Sequence, residues 1–127
     1  LDIRAPNNTQ RDAVMVDTRT ELAAICARRK LRFTLEQTMR EQAATSDPAL
    51  QQHWERAVAA LGLPLHHLPS GAGHDAMMLH TVMPQAMLFV RGENAGISHN
   101  PLESSTADDL DLACAAFQHL LDTLAAS

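Results

Sequence analysis

Two histidines in this 127-residue chain each stand at the end of a glycine-containing turn, in Ser70-Gly71-Ala72-Gly73-His74-Asp75-Ala76 and in Gly96-Ile97-Ser98-His99-Asn100-Pro101-Leu102-Glu103. Glycine lets backbone come close to a ligand, and a histidine at such a turn can bind metal, donate a hydrogen bond or move a proton. The first turn opens an expected helix and the second follows an expected strand. Together they suggest one rim of an active site, because α/β proteins place ligands on the loops at the C-terminal edge of their strands.

Each candidate carries a plainer reading beside the chemical one. Gly71 and Gly73 expose peptide N–H groups next to a helix N-terminus, where a carboxylate or a developing oxyanion could be held. The same residues also describe a tight strand-to-helix turn capped by Asp75, which requires no ligand. His99 sits between Gly96 and Ser98 on one side and Asn100-Pro101 on the other, a frame that restricts the chain around it. A single imidazole does not make a zinc site, which needs three or four protein ligands, and no His-x-x-His, Cys-x-x-Cys or Asp-rich cluster supplies the others. Arg4, in strand phase opposite Leu1 and Ile3, can present a guanidinium fork to a carboxylate or simply face solvent. His66-His67 falls on a strand, where neighbours point to opposite faces. His53, His80 and His119 lie on helices with no histidine partner at helical spacing.

The elements that must position these residues follow from periodicity and caps. Residues 1–6 alternate apolar and polar as a half-buried strand does, and Pro6-Asn7-Asn8 ends the run. Asn8 or Thr9 caps a helix over residues 10–30, whose apolar face is Val14, Thr18, Leu22, Ile25 and Cys26. Leu31 to Arg40 alternates again, giving strand, helix, strand. The small and polar residues 42–48 suit a linker. Asp47 as N-cap, Pro48 at the first helical position and Gly62 beyond the end bracket a second helix, with Leu50, Trp54, Ala57, Val58 and Leu61 inward. Residues 65–68 predict a short strand, 75–83 a short helix stopped by Pro84, and Ala86–Val90 a strand buried on both faces. Thr106 opens the last helix with Asp108 and Asp109 at its positive end, and its expected stripe is Leu110, Ala113, Cys114, Phe117, Leu121 and Leu124. The order is that of an α/β layered fold.

Composition narrows the partners. The chain is 46% hydrophobic with a net charge of −5, ordinary for a globular domain with a core of Leu, Ala, Val and Met. Three Phe, one Trp and no Tyr leave little surface for base stacking. The longest basic run is Arg28-Arg29-Lys30, so nucleic acid is not an expected partner. No stretch reaches the length of a membrane span, and no signal-peptide pattern opens the sequence. Cys26 and Cys114, both at apolar helix positions, suit small buried side chains in a reducing, cytoplasmic compartment better than a disulfide. The first residue is Leu1, in mid-strand pattern, so a preceding segment is expected.

Asp2-Ile3-Arg4, Leu68-Pro69-Ser70-Gly71-Ala72-Gly73-His74-Asp75-Ala76, Met87-Leu88-Phe89-Val90 and Gly96-Ile97-Ser98-His99-Asn100-Pro101-x-Glu103 together resemble the C-terminal portion of the allantoate amidohydrolase, β-ureidopropionase and N-carbamoyl-L-amino acid hydrolase group of the M20 metallopeptidase-like family. The resemblance runs essentially end to end. It implies a metal-dependent amidohydrolase that cleaves a linear ureido or N-carbamoyl substrate, or allantoate, with release of ammonia and carbon dioxide. It further implies a lid that forms a homodimer, residues 1–44 being its last strand, helix and strand, and residues 45–127 being the C-terminal part of an α/β catalytic domain. His99 matches a metal ligand, His74 a histidine of the substrate pocket with a catalytic role at the oxyanion, and Arg4 the lid arginine that binds the substrate carboxylate. Gly71 and Gly73 match close-approach backbone in the substrate site, and Glu103 belongs to the motif without an assigned role. Two divalent ions, zinc or manganese, are implied as cofactors, with the remaining ligands and the glutamate base outside these residues. The 127 residues alone are therefore expected to be inactive. Two other readings stay open: an aminoacylase- or peptidase-type hydrolase, and a non-catalytic dimerisation remnant.

Overall fold

The computed structural model describes residues 1–126, which form four α-helices and one short 3-10 turn: α1 (Asn8–Arg29), α2 (Pro48–Ala60), α3 (Ala76–Leu79), a 3-10 turn (Asn94–Gly96) and α4 (Ala107–Ala125). The three long helices are set by caps that can be named. Asn7 accepts the Gln10 N–H at 2.9 Å through its side chain and opens α1. The expected cap was one or two residues later. At the other end Lys30 takes a left-handed conformation, φ 54°, and the pair Lys30 N–H to Ala27 O and Leu31 N–H to Cys26 O closes the last turn. Gly62, at φ 72°, performs the same step for α2 without the steric cost of a Cβ, with Gly62 N–H to Ala59 O and Leu63 N–H to Val58 O. Asp47 and Pro48 start α2 as expected, the Asp47 side chain accepting the Leu50 N–H at 2.9 Å. Thr106 and Asp109 cap α4 reciprocally: the Asp109 N–H donates to Thr106 Oγ1, and the Thr106 hydroxyl donates to Asp109 Oδ2.

The described residues divide into two compact units. One comprises Leu1–Thr45 and Leu68–Met83, the other Ser46–His67 and the described residues from Pro84 onward. In the first, α1 turns Met15, Thr18, Leu22, Ile25 and Cys26 away from solvent, and of these Cys26 is buried. Two ties join the start of α1 to residues 40–43: Asn8 Oδ1 accepts the Ala43 N–H at 2.9 Å, and Asp12 bonds Arg40 at 2.7 Å while also pairing with its neighbour Arg11 at 2.9 Å. The Arg11 guanidinium also reaches the Glu41 carbonyl.

In the second unit α2 packs on α4. Ala57 is fully buried, Ala116 and Leu120 are buried opposite, and Trp54 stacks on Phe117 with ring centroids 5.9 Å apart. The inward face of α2 is the expected one. That of α4 is rotated by about one residue: Leu112, Ala113, Ala116 and Leu120 point in, whereas Leu110, Cys114, Phe117, Leu121 and Leu124 are exposed. The helix is apolar on two adjacent faces, so periodicity alone selects neither, and the small Ala116 wins because it lets α2 approach closely. The expectation that Cys114 is buried fails for the same reason.

No strand occurs among the described residues, so the expected strand-helix-strand arrangement and α/β sheet are not confirmed there. Segments 1–6, 31–40, 65–68 and 86–90 have strand-like alternation or apolarity but no ladder partner. A strand exists only through hydrogen bonds to a neighbouring strand, and alternation describes the face it would bury rather than the partner it needs. Phe33, Phe89 and Val90 are accordingly exposed, although the last two lie in the run expected to be buried on both faces. The short helix expected over 75–83 is cut to one turn, α3, followed by hydrogen-bonded turns as far as Met83.

Candidate functional site

Arg4 and the glycine turn, 67 residues apart in sequence, meet in the first unit: Arg4 Nη1 donates to the Gly71 carbonyl at 2.7 Å. The other edge of the same guanidinium takes the Asp2 carboxylate, Nε at 3.1 Å from both oxygens and Nη2 at 2.7 Å from Oδ2. That hydrogen bonding holds the Asp2 carboxyl below the usual carboxylate range and raises Arg4 above its ordinary value. Both side chains are well exposed.

Beyond Gly71 the chain is held by short-range bonds. Ser70 Oγ accepts the Ala72 N–H at 3.3 Å. A Cβ at Gly71 would meet nothing within 4 Å, and one at Gly73 would find only Met77 Sδ at 3.6 Å. Neither glycine has a left-handed φ. No backbone need of this chain requires them, and the space above them is open. The turn then enters α3 through His74. Its Nδ1 accepts the Ala76 N–H at 3.1 Å, the place that Asp75 was expected to take, and Asp75 makes no side-chain cap bond. An Nδ1 that accepts carries no proton, so the neutral ring carries its proton on Nε2 and presents one N–H donor. His74 is half-buried.

His99 lies in the second unit, on a loop tied to itself from Gly92 to Ser104. The Glu93 N–H donates to Ser104 O at 2.9 Å, the Ser104 hydroxyl to Glu93 Oε2 at 2.9 Å, and Asn94 Nδ2 to Leu102 O at 2.7 Å. Asn94, Ala95 and His99 all take left-handed φ, at 50°, 62° and 56°. Such conformations cost energy for residues with a Cβ and persist where neighbouring bonds enforce them. For His99 the enforcing group is Glu103, whose Oε2 accepts the His99 N–H at 2.8 Å, while its own N–H donates to Asn100 O at 2.9 Å. Asn100 Oδ1 accepts the Leu102 N–H at 3.0 Å and completes the turn. Glu103, left without a role by the sequence, thus fixes the backbone of His99. The i, i+4 acidic spacing with an Asn between was the available signal.

The loop connects to α4 through Arg91, 3.2 Å from the Asp109 carboxylate at the helix start. His67 Nε2 lies 3.2 Å from Glu55 on α2. His80 Nδ1 is 2.6 Å from Met77 O within its own turn, and His53 Nδ1 is buried without a hydrogen-bond partner. Cys26 and Cys114 are both free. Among the described residues no three His, Cys, Asp or Glu side chains gather in a group that could hold a metal ion, and no helix is long and apolar enough to cross a membrane.

The model of peptidase family M20/M25/M40 matches residues 3–123. An N-carbamoyl-L-amino acid amidohydrolase of Geobacillus stearothermophilus is 34% identical over 125 residues, 98% of this chain and 30% of the relative. An allantoate deiminase of Arabidopsis thaliana is 33% identical over 131 residues, 97% of this chain and 25% of the relative. An allantoate amidohydrolase of Bacillus subtilis (strain 168) is 30% identical over 125 residues, 98% and 30% respectively. The chain therefore spans under a third of the length of these relatives. No solved structure matches it. The match spans both units, from the segment of Arg4 through both histidine turns and most of α4, and the chain belongs to peptidase family M20/M25/M40.

Proposed function

We propose that the protein carrying this chain is an amidohydrolase of linear ureido compounds, acting on an N-carbamoyl amino acid or on allantoate. The observation that carries the reading is the bond from Arg4 Nη1 to the Gly71 carbonyl at 2.7 Å. It joins a guanidinium, suited to a carboxylate, to a turn whose glycines leave open space and whose histidine offers one N–H donor. N-carbamoyl amino acids and allantoate carry both features such a pair recognises: a carboxylate and a ureido carbonyl. The names of the relatives support the same substrate class.

In this reading Arg4 receives the substrate carboxylate on the N–H groups that Asp2 and Gly71 leave free. His74 donates its Nε2–H to the ureido oxygen as negative charge grows there, while Gly71 and Gly73 let the substrate lie against backbone. Water adds to the ureido carbonyl, the bond to the amino-acid nitrogen breaks, and that nitrogen takes a proton. The carbamate released decomposes to carbon dioxide and ammonia. The described residues do not by themselves fit a pair of divalent ions, since they offer no cluster of ligands. His99, on its braced loop, is proposed to contribute one imidazole to a metal site completed by other residues of the protein. Residues 1–44 are proposed as lid, residues 45–127 as the end of the catalytic domain, the assembly as a homodimer, and the compartment as the cytoplasm, in keeping with two free thiols.

Arg4→Ala in the whole protein, assayed on an N-carbamoyl amino acid and on its carboxamide, tests the reading. The substitution raises KM for the acid on the order of tenfold or more and leaves the amide unaffected. Equal changes for acid and amide would remove Arg4 from carboxylate recognition.

A further inference from the structure

Asp2 lies two residues before Arg4 and engages one edge of its guanidinium with both carboxylate oxygens, at 2.7 to 3.1 Å, while Gly71 O takes Nη1. We propose that Asp2 is a positioning residue for the substrate carboxylate: it orients the Arg4 guanidinium so that the donors left over face an incoming carboxylate. The proposal rests on the reading of Arg4 as carboxylate receptor.

The donors can be counted. A guanidinium has one N–H on Nε and two on each terminal nitrogen. Asp2 takes the Nε–H and one Nη2–H, and Gly71 takes one Nη1–H. One N–H remains on each terminal nitrogen, so the guanidinium keeps two donors for a second carboxylate. The Gly71 bond alone would fix one nitrogen and leave the plane free to turn about it. The two-point contact with Asp2 removes that freedom. An arginine ordered before binding loses less rotamer entropy when the ligand arrives, and this lowers KM rather than raising kcat. The hydrogen bond to Arg4 holds the Asp2 carboxyl below the ordinary carboxylate range, so near neutral pH it acts purely as an acceptor. Both side chains are exposed, at 66% for Asp2 and 60% for Arg4, so replacing Asp2 removes little packing.

The test uses the whole protein with N-carbamoyl-L-alanine and N-carbamoyl-L-alaninamide as paired substrates, comparing Asp2→Ala, Asp2→Asn and Arg4→Ala. Asp2→Ala is expected to raise KM for the acid roughly three- to tenfold, leave its kcat within about twofold and leave the amide unchanged. Asp2→Asn, which keeps an acceptor oxygen, falls between Asp2→Ala and the parent. If Arg4→Ala abolishes the distinction between acid and amide while Asp2→Ala leaves KM for the acid unchanged, the role of Asp2 is overturned and that of Arg4 stands. A lower KM in Asp2→Ala overturns it too, making Asp2 a competitor for the guanidinium, and an equal rise for both substrates reduces Asp2 to local structure. If Arg4→Ala leaves the distinction intact, the carboxylate reading itself falls and takes this inference with it.

Discussion

Replacing His74 separates its two nitrogens, because the structure engages Nδ1 in a backbone bond and the proposed function uses Nε2. Nδ1 accepts the Ala76 N–H at 3.1 Å and holds the entry to α3, and Nε2 carries the single remaining N–H. His74→Ala removes both. The lost backbone bond costs about 1 kcal/mol of stability, the usual net value of such a bond. In the proposed role the lost donor acts only where charge develops, so its loss is expected to lower kcat by about a hundred- to a thousandfold, or roughly 2.7–4 kcal/mol, with KM little changed. His74→Asn divides the two effects. Its Oδ1 can accept the N–H two residues on, as asparagine does in turns, but its amide does not reach where Nε2 sits. Stability is retained in His74→Asn while kcat falls as far as in His74→Ala. Steady-state kinetics on an N-carbamoyl amino acid and thermal unfolding of both variants make the comparison. A kcat for His74→Asn equal to that of the parent, or a loss confined to KM in both variants, would refute the assignment of Nε2 as the donor.

Two further predictions concern the fold. On α4, Leu120 is 6% exposed and Leu121 is 45% exposed; in the 127-residue chain Leu120→Ala costs about 2–3 kcal/mol and Leu121→Ala under about 1 kcal/mol, and denaturant unfolding giving the reverse order would place the other face of α4 against α2. The hydrogen bonds from Arg40, then Arg11, hold the Asp12 carboxyl below its ordinary value, so its stabilisation is present above the unfolded-state pKa of about 3.9 and is lost as pH falls through the lower folded-state value. Melting temperatures of the parent and Asp12→Asn should therefore differ at pH 7 and converge in acid; a gap independent of pH would show that the carboxylate charge contributes nothing.

What was legible in the sequence was what is decided locally. Asp47, Pro48 and Gly62 fixed the ends of α2, and Thr106 with Asp109 fixed the start of α4, because a cap is a contact between residues three or four apart. The inward face of α2 was legible because its apolar residues share one stripe. That of α4 was not, since Leu110, Phe117 and Leu121 compete with Ala116 and Leu120 for the role of core, and only the partner helix decides. The strands failed for a related reason: alternation at 31–40 records a face, and a ladder needs a second strand that the described residues do not contain. Of the site, both histidine turns could be read from glycine and proline punctuation. The Arg4 to Gly71 bond could not, because nothing local links positions 67 residues apart. His74 in the place of the expected Asp75 cap was missed because an imidazole nitrogen is an uncommon N-terminal acceptor.

One comparison of kcat/KM decides the substrate class. The whole purified protein is assayed against an N-carbamoyl-L-amino acid, allantoate, the matching N-acetyl-L-amino acid and a dipeptide, with ammonia release followed for the first two and free amine for the others. One of the two ureido substrates is expected to have a kcat/KM at least about a hundredfold above both the acetyl compound and the dipeptide, a margin worth roughly 2.7 kcal/mol in the transition state. A preference for the acetyl amino acid or the dipeptide, with no ammonia released from either ureido compound, would contradict it.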